Sequence, residues 1–131
     1  MKKPTLILTL LFSTVMFSSP SYAKWTKVTE NAIGDTFYVD YERIRKHDGY
    51  VYFWSLRDAL KPSEDGVLSG KIYRQGDCKL FRNKVLSVSF HKEPMGMGIA
   101  DVKEIPKKFR GWEYPPSDSV IEVILKSVCS R

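Results

Sequence analysis

Residues 47–56 read His-Asp-Gly-Tyr-Val-Tyr-Phe-Trp-Ser-Leu, and this stretch decides the fold. Asp48-Gly49 supplies the positive backbone φ that a tight hairpin needs, so the chain turns there and continues as a strand. Along that strand Tyr50, Tyr52, Trp54 and Leu56 share one face, and Val51 and Phe53 share the other. A strand apolar on both faces belongs in the middle of a sheet, covered at least in part on each side.

Outward from this centre the chain reads as short strands divided by turns. Trp25-Thr26-Lys27-Val28 and Phe37-Tyr38-Val39 are strands on either side of a turn at residues 33–36. Residues 41–46 are few and charged, which predicts one helical turn rather than a packed helix. Residues 61–66 are a polar loop. Residues 67–73 form the next strand, turned by Arg74-Gln75-Gly76-Asp77. Residues 78–90 follow as a long strand, with Leu80, Leu86, Val88 and Phe90 on the face of Cys78. Sequential strands joined by short turns pair as an antiparallel meander. Met95-Gly96-Met97-Gly98 reads as a glycine-permitted bend with its methionines against the sheet edge. A soft contact surface or a weak thioether metal site is the alternative. Residues 105–112 are basic and irregular.

The period changes after Pro115-Pro116. Ser119 followed by Glu122 is a capping box, and Val120, Ile121, Ile124, Leu125 and Val128 then fall on one side of a helical wheel. Glu122 and Lys126 face away as an i,i+4 pair. Cys129 sits at the edge of the apolar arc, pointing where the sheet must be. The fold class expected is α+β: an antiparallel meander sheet of about five or six strands, with a C-terminal helix packed on one face and stapled to the Cys78 strand.

The whole chain has 131 residues, 43% hydrophobic and 27% charged, which suits one globular domain. Two histidines and two cysteines are too few for zinc fingers, iron–sulfur clusters or multi-disulfide scaffolds. Met1-Lys2-Lys3, an apolar run over residues 6–17 and the small exit Ser21-Tyr22-Ala23 have the order of a secretory signal cleaved after Ala23. The run is too short to span a membrane as a helix, and no later run is longer. Residues 24–131 are then a single exported domain of charge +4, since Lys2 and Lys3 leave with the signal. In an oxidising compartment Cys78 and Cys129 have one pairing available to them, and a structural disulfide is the simplest outcome. A redox or catalytic pair is the competing reading, but nothing resembles C-x-x-C and no histidine lies close in sequence to activate a thiolate.

These residues resemble the surface-adhesin protein E family of exported bacterial proteins. The pattern runs through Trp25, Tyr38-Val39-Asp40 with Ile44, Trp54-Ser55-Leu56, Ser69, Asp77-Cys78, Leu86-Ser87-Val88, Pro94-Met95-Gly96-Met97-Gly98, Trp112 and Cys129. The resemblance implies an antiparallel sheet with a disulfide-tethered C-terminal helix, and a non-enzymatic protein of a Gram-negative bacterium. It also implies binding of extracellular-matrix glycoproteins such as laminin and vitronectin, and it allows a homodimer. Relatives can be lipid-anchored. This chain has no cysteine beside its cleavage site, so the periplasm is the expected location, with the cell surface or the medium as alternatives.

Two basic clusters are candidates for contacting an anionic partner: Arg43, Arg45 and Lys46, and later Lys107, Lys108 and Arg110. A solvated face is the plainer account of each. Trp112 and Tyr114, in an irregular proline-flanked segment, are candidates for an exposed aromatic contact. The row Tyr50, Tyr52 and Trp54 could stack a sugar, though packing beneath the helix is simpler. The partner expected is a protein or an anionic glycan outside the cytosol. Nucleic acid is not expected, since export removes the protein from it and no recognition motif is present. No catalytic residue, cofactor or metal is expected: His47 lies in a turn and His91 at a strand end, neither beside a nucleophile at motif spacing, and Ser69-Gly70 lacks a nucleophile-elbow frame.

Overall fold

The computed structural model describes residues 23–131, so the secretory signal lies outside the described residues except for Ala23. Among the described residues seven strands form one antiparallel sheet: β1 (Thr26–Glu30), β2 (Thr36–Val39), β3 (Arg45–His47), β4 (Tyr50–Asp58), β5 (Ser69–Asp77), β6 (Arg82–His91) and β7 (Asp101–Lys103). Their order is β1-β2-β4-β5-β6-β7. The short β3 shares one edge of β4 with β2, β2 pairing residues 55–58 and β3 residues 50–52. Between them the chain bends through Asp40 and a 3-10 turn at Tyr41–Arg43. The helical turn expected over residues 41–46 is therefore confined to its first half. The second half becomes β3, because the left-handed Asp48 and Gly49 fold it back as a hairpin onto β4.

Helix α1 (Val120–Cys129) starts as its sequence demands. Ser119 Oγ accepts from the Glu122 amide at 3.2 Å, and Glu122 Oε1 accepts from the Asp118 amide at 3.2 Å. Lys126 and Glu122 pair on the outer side at 3.6 Å. Ile124, Leu125 and Val128 are buried with Val39, Val51 and Phe53 in the core cluster. The helix packs against β1 and β4, and Cys129 in its last turn is bonded to Cys78 across a separation of 51 residues. In the chain-entropy model a loop of that size stabilises the fold by about 4 kcal/mol.

Three further expectations are corrected. First, β5 does not end at Tyr73: it runs to Asp77, and the turn falls at residues 78–81. Asp77 makes that turn, its Oδ1 accepting from the amides of Lys79 and Leu80 at 3.1 Å each, and Phe81 completes it in the left-handed region. Cys78 therefore lies in a turn, not a strand, and Leu80 and Leu86 are exposed instead of sharing a buried face with it. Second, the helix covers the Val51 and Phe53 face of β4, so Tyr50, Tyr52 and Trp54 lie on the opposite side of the sheet. Third, residues 94–98 do not lie along the sheet edge. Pro94–Gly96 form a 3-10 turn against β4, β5 and β6, with Met95 half-buried and Met97 exposed.

That turn closes one end of the aromatic side. Ser69 Oγ donates to the Glu93 carbonyl at 2.6 Å and accepts from the Gly96 amide at 2.8 Å, and Asp58 Oδ1 accepts from the Met95 amide at 2.7 Å. Nearby, His91 is buried with its Nε2 2.9 Å from Ser89 Oγ. Burial, and then the neighbouring Lys71 cation, hold the His91 pKa below the ordinary imidazole value. The backbone of Met97 and Gly98 opposes this shift without giving Nδ1 a well-formed hydrogen bond.

Gly76, expected in a turn, is a strand glycine with a packing role. A Cβ there would lie 2.8 Å from Val51 Cγ2, 3.0 Å from Leu125 Cδ1 and 3.4 Å from Phe53 Cε1. The missing side chain lets the helix seat on the sheet. Gly76→Ala should destabilise the protein by about 1–3 kcal/mol in urea unfolding, and an unchanged midpoint would contradict this packing. A second expectation concerns acid. Because the fold holds the His91 pKa below the value of about 6.5 that the ring has once unfolded, stability should decline as pH falls below about 6.5. Asp35 and Asp77 have lowered pKa values and stay ionised through that window. The melting temperature should therefore fall between pH 7.5 and 5, less steeply in His91→Gln; parallel declines would contradict it.

Candidate functional site

The helix-free face of the sheet is assembled by register. The hairpin sets His47 opposite Tyr50 and Arg45 opposite Tyr52. On the other edge of β4, Tyr52 faces Gln75 and Trp54 faces Tyr73, and β5 in turn sets Gln75 opposite Lys84 and Asp77 opposite Arg82. Directly opposed residues point to the same side of a sheet. One surface therefore carries Arg45, Tyr52, Gln75 and Lys84 in a row, with Trp54 and Tyr73 in the next.

The rings on this surface are in mutual contact. Trp54 and Tyr73 lie 4.8 Å apart between centroids and Tyr52 and Tyr73 6.4 Å, while Tyr52 Oη accepts from Gln75 Nε2 at 3.1 Å. Trp112 is laid over the far end because Glu113 pairs with the outer edge of β6, its backbone exchanging hydrogen bonds with Asn83 at 2.8 and 2.9 Å. The Trp112 ring sits 5.5 Å from Tyr50, with the Arg82 guanidinium 4.3 Å and the Lys84 ammonium 4.7 Å from its centroid. Cations at these distances are attracted by the ring quadrupole.

Asp77 fixes the charge pattern. Its Oδ2 accepts from Arg82 Nε at 2.9 Å, while its Oδ1 holds the turn. The Leu80 amide and then Arg82 keep the Asp77 pKa low, and Asp77 raises that of Arg82. Tyr114, highly exposed, also adds to the Arg82 shift. On the helix side Arg74 is half-buried, donating to Asn83 Oδ1 at 2.8 Å and Ser55 Oγ at 3.4 Å. Burial lowers its pKa to about 10, which leaves it charged at neutral pH.

The structure redistributes the candidate residues. The first basic cluster is split three ways: Arg43 pairs with Asp40 at 3.4 Å, Arg45 faces the aromatic rows, and Lys46 turns to the helix side, where its Nζ donates to the Arg131 carbonyl at 3.0 Å. Lys107 and Lys108 lie on an exposed 3-10 turn with the Lys108 ammonium 4.9 Å from the Phe109 ring, and Arg110 donates to the Ile105 carbonyl at 2.7 Å. Trp112 does reach the aromatic face. Arg82, Lys84, Tyr73 and Gln75 complete that face without having been singled out in the sequence. Their signal was the continuation of β5 to Asp77, which sets the alternation of β5 and β6 in phase with Tyr52 and Trp54.

The opposite face holds a groove of about 1040 Å³ where the helix does not reach, floored by Gly70, Ile72, Val88 and Phe90 and walled by Leu60 and Leu68. A smaller hollow of about 400 Å³ lies beside the disulfide. Ser89 and His91 are paired, which sequence spacing did not suggest, and both are buried. Among the described residues no group of three His, Cys, Asp or Glu side chains is arranged to hold a metal ion, and no helix is long and apolar enough to cross a membrane.

The family model described as surface-adhesin protein E matches residues 25–130. No curated protein matches the sequence. Solved structures of Haemophilus influenzae protein E have the same fold. Its crystal form II superposes with a TM-score of 0.65 at 15% identity, covering 85% of this chain and 91% of that one. The selenomethionine form gives 0.61 at 16% identity, covering 85% and 89%. Protein E from non-typeable Haemophilus influenzae gives 0.59 at 15% identity, covering 86% and 79%.

Proposed function

The chain belongs to the surface-adhesin protein E family, and from that premise we propose that it is an exported, non-catalytic binding module whose helix-free sheet face holds an anionic partner outside the cytosol. The observation that carries this reading is the meeting of Tyr50, Tyr52, Trp54, Tyr73 and Trp112 with Arg45, Arg82 and Lys84 on one surface. Half-buried aromatic rings give a rigid contact area at little entropic cost, and the flanking cations select for acidic groups. The acidic portions of matrix glycoproteins, protein or glycan, have the matching chemistry. Export is supported by the signal read in residues 1–23 and by the Cys78–Cys129 bond, a feature of oxidising compartments.

A second reading is a periplasmic partner protein of the same cell, favoured by the apolar groove, whose floor suits an extended protein segment. Protease treatment of intact cells separates the two: degradation supports surface display, and survival with release into the osmotic shock fluid supports the periplasm. Immobilised laminin, vitronectin and heparin test the binding surface directly. Binding should weaken as salt rises and should drop by about tenfold or more when Arg45 and Lys84 are both changed to Glu. Binding indifferent to salt, or lost equally on changing Lys107 and Lys108, would place the contact elsewhere.

A further inference from the structure

The register of the first hairpin places Thr26 opposite Val39, so the backbone just before Thr26 runs beside Asp40. There the Lys24 main-chain nitrogen lies 3.3 Å from Asp40 Oδ2. Asp40 is only 1% exposed. Its Oδ2 also faces Arg43 Nε at 3.4 Å, while its buried Oδ1 has no hydrogen-bond partner among the described residues. A buried carboxylate with an oxygen left unbonded is costly, and the cost is larger for a charged group than for a neutral one. The Lys24 side chain does not answer this need. Its Nζ points outward to Glu42 at 3.5 Å, so the α-nitrogen is the group presented to Asp40.

We propose that Asp40 is the receptor for the amino group created when the signal is removed. The inference rests on cleavage after Ala23. Hydrolysis of the Ala23–Lys24 bond adds one water, leaving a carboxylate on Ala23 and an ammonium on Lys24. Before cleavage the Lys24 nitrogen is a neutral amide with a single N–H, which is spent on Oδ2. After cleavage the same atom carries a positive charge and three donors, enough to hold Oδ2 and to reach Oδ1. Processing thereby completes the hydrogen bonding of a buried charge at the junction of β1, β2 and the Tyr41–Arg43 turn. The precursor lacks this ion pair and is less stable, which keeps it easier to unfold while it is still being exported.

The test compares purified, oxidised chains that differ only at the amino terminus: one starting at Lys24, one retaining Ala23, and one carrying Gly-Ser ahead of Lys24. The chain starting at Lys24 should melt several degrees higher than both extended chains at pH 7. Asp40→Asn should abolish that difference. Equal melting of all three amino termini overturns the proposal, as does an extension effect of the same size in Asp40→Asn. Should Asp40→Asn fail to fold, nitrogen NMR of the Lys24 amine decides. Pairing requires it to titrate above the ordinary α-amine value of about 8, and titration at the ordinary value overturns the proposal. The mass of the exported protein separates failure of the cleavage reading from failure of the pair. A start at Lys24 is expected, and any other start removes the physiological basis whatever the melting series shows.

Discussion

The contact on which the rest of the structure depends is that of Leu125 with Val51 and Phe53 over the bare backbone of Gly76, held by the bond from Cys129 to Cys78. A ten-residue helix is too short to persist alone in water. It forms here because its apolar arc meets a sheet surface recessed to receive it, and because a covalent tie at its last turn keeps the arc over that surface. The two constraints reinforce each other, since Asp77 caps the turn that presents Cys78 and lies next to the glycine that admits Leu125.

Seating the helix on one side determines what the other side can be. With Val51 and Phe53 spent on the core, the alternation of β4 leaves Tyr50, Tyr52 and Trp54 on the free surface, and antiparallel pairing brings Tyr73, Lys84 and Arg82 beside them. Those rings are partly covered by one another and by Trp112, so the face is firm as well as polar at its edges. A scaffold of this kind holds aromatic and cationic groups in fixed relative positions, which lowers the ordering cost of binding. The same Asp77 that shapes the turn orients Arg82 over Trp112, so core packing and surface chemistry meet in one carboxylate.

Much of this was legible in the sequence. The Asp48-Gly49 hairpin, the two-faced β4, the capped amphipathic helix and the cysteine pairing each follow from local chemistry, and each is present. What was not legible has a common cause. Alternation identifies two faces of a strand but not which one receives the helix, so the aromatic row was expected in the core. Gly76 looks like a turn residue because a strand glycine and a turn glycine have the same one-letter signature; the close approach of Leu125 that explains it is a tertiary fact. A bulge at Leu86, where Arg74 pairs with Val85 but Tyr73 with Ser87, then inverts the phase of β6, so Arg82 and Lys84 lie on the face opposite to Val88 and Phe90. The Ser89 and His91 pair and the Asp40 pocket are likewise products of folding that spacing alone does not reveal.

The helix is held on the sheet by its covalent tie as well as by its packing, and native-state hydrogen exchange reads this out residue by residue. With the Cys78–Cys129 bond intact, the amides of residues 124–128 should exchange as slowly as those of the central strands. After reduction and thiol blocking, the account predicts that helix protection falls by orders of magnitude while β4 and β5 retain most of theirs. Equal protection of the helix in both states would contradict it.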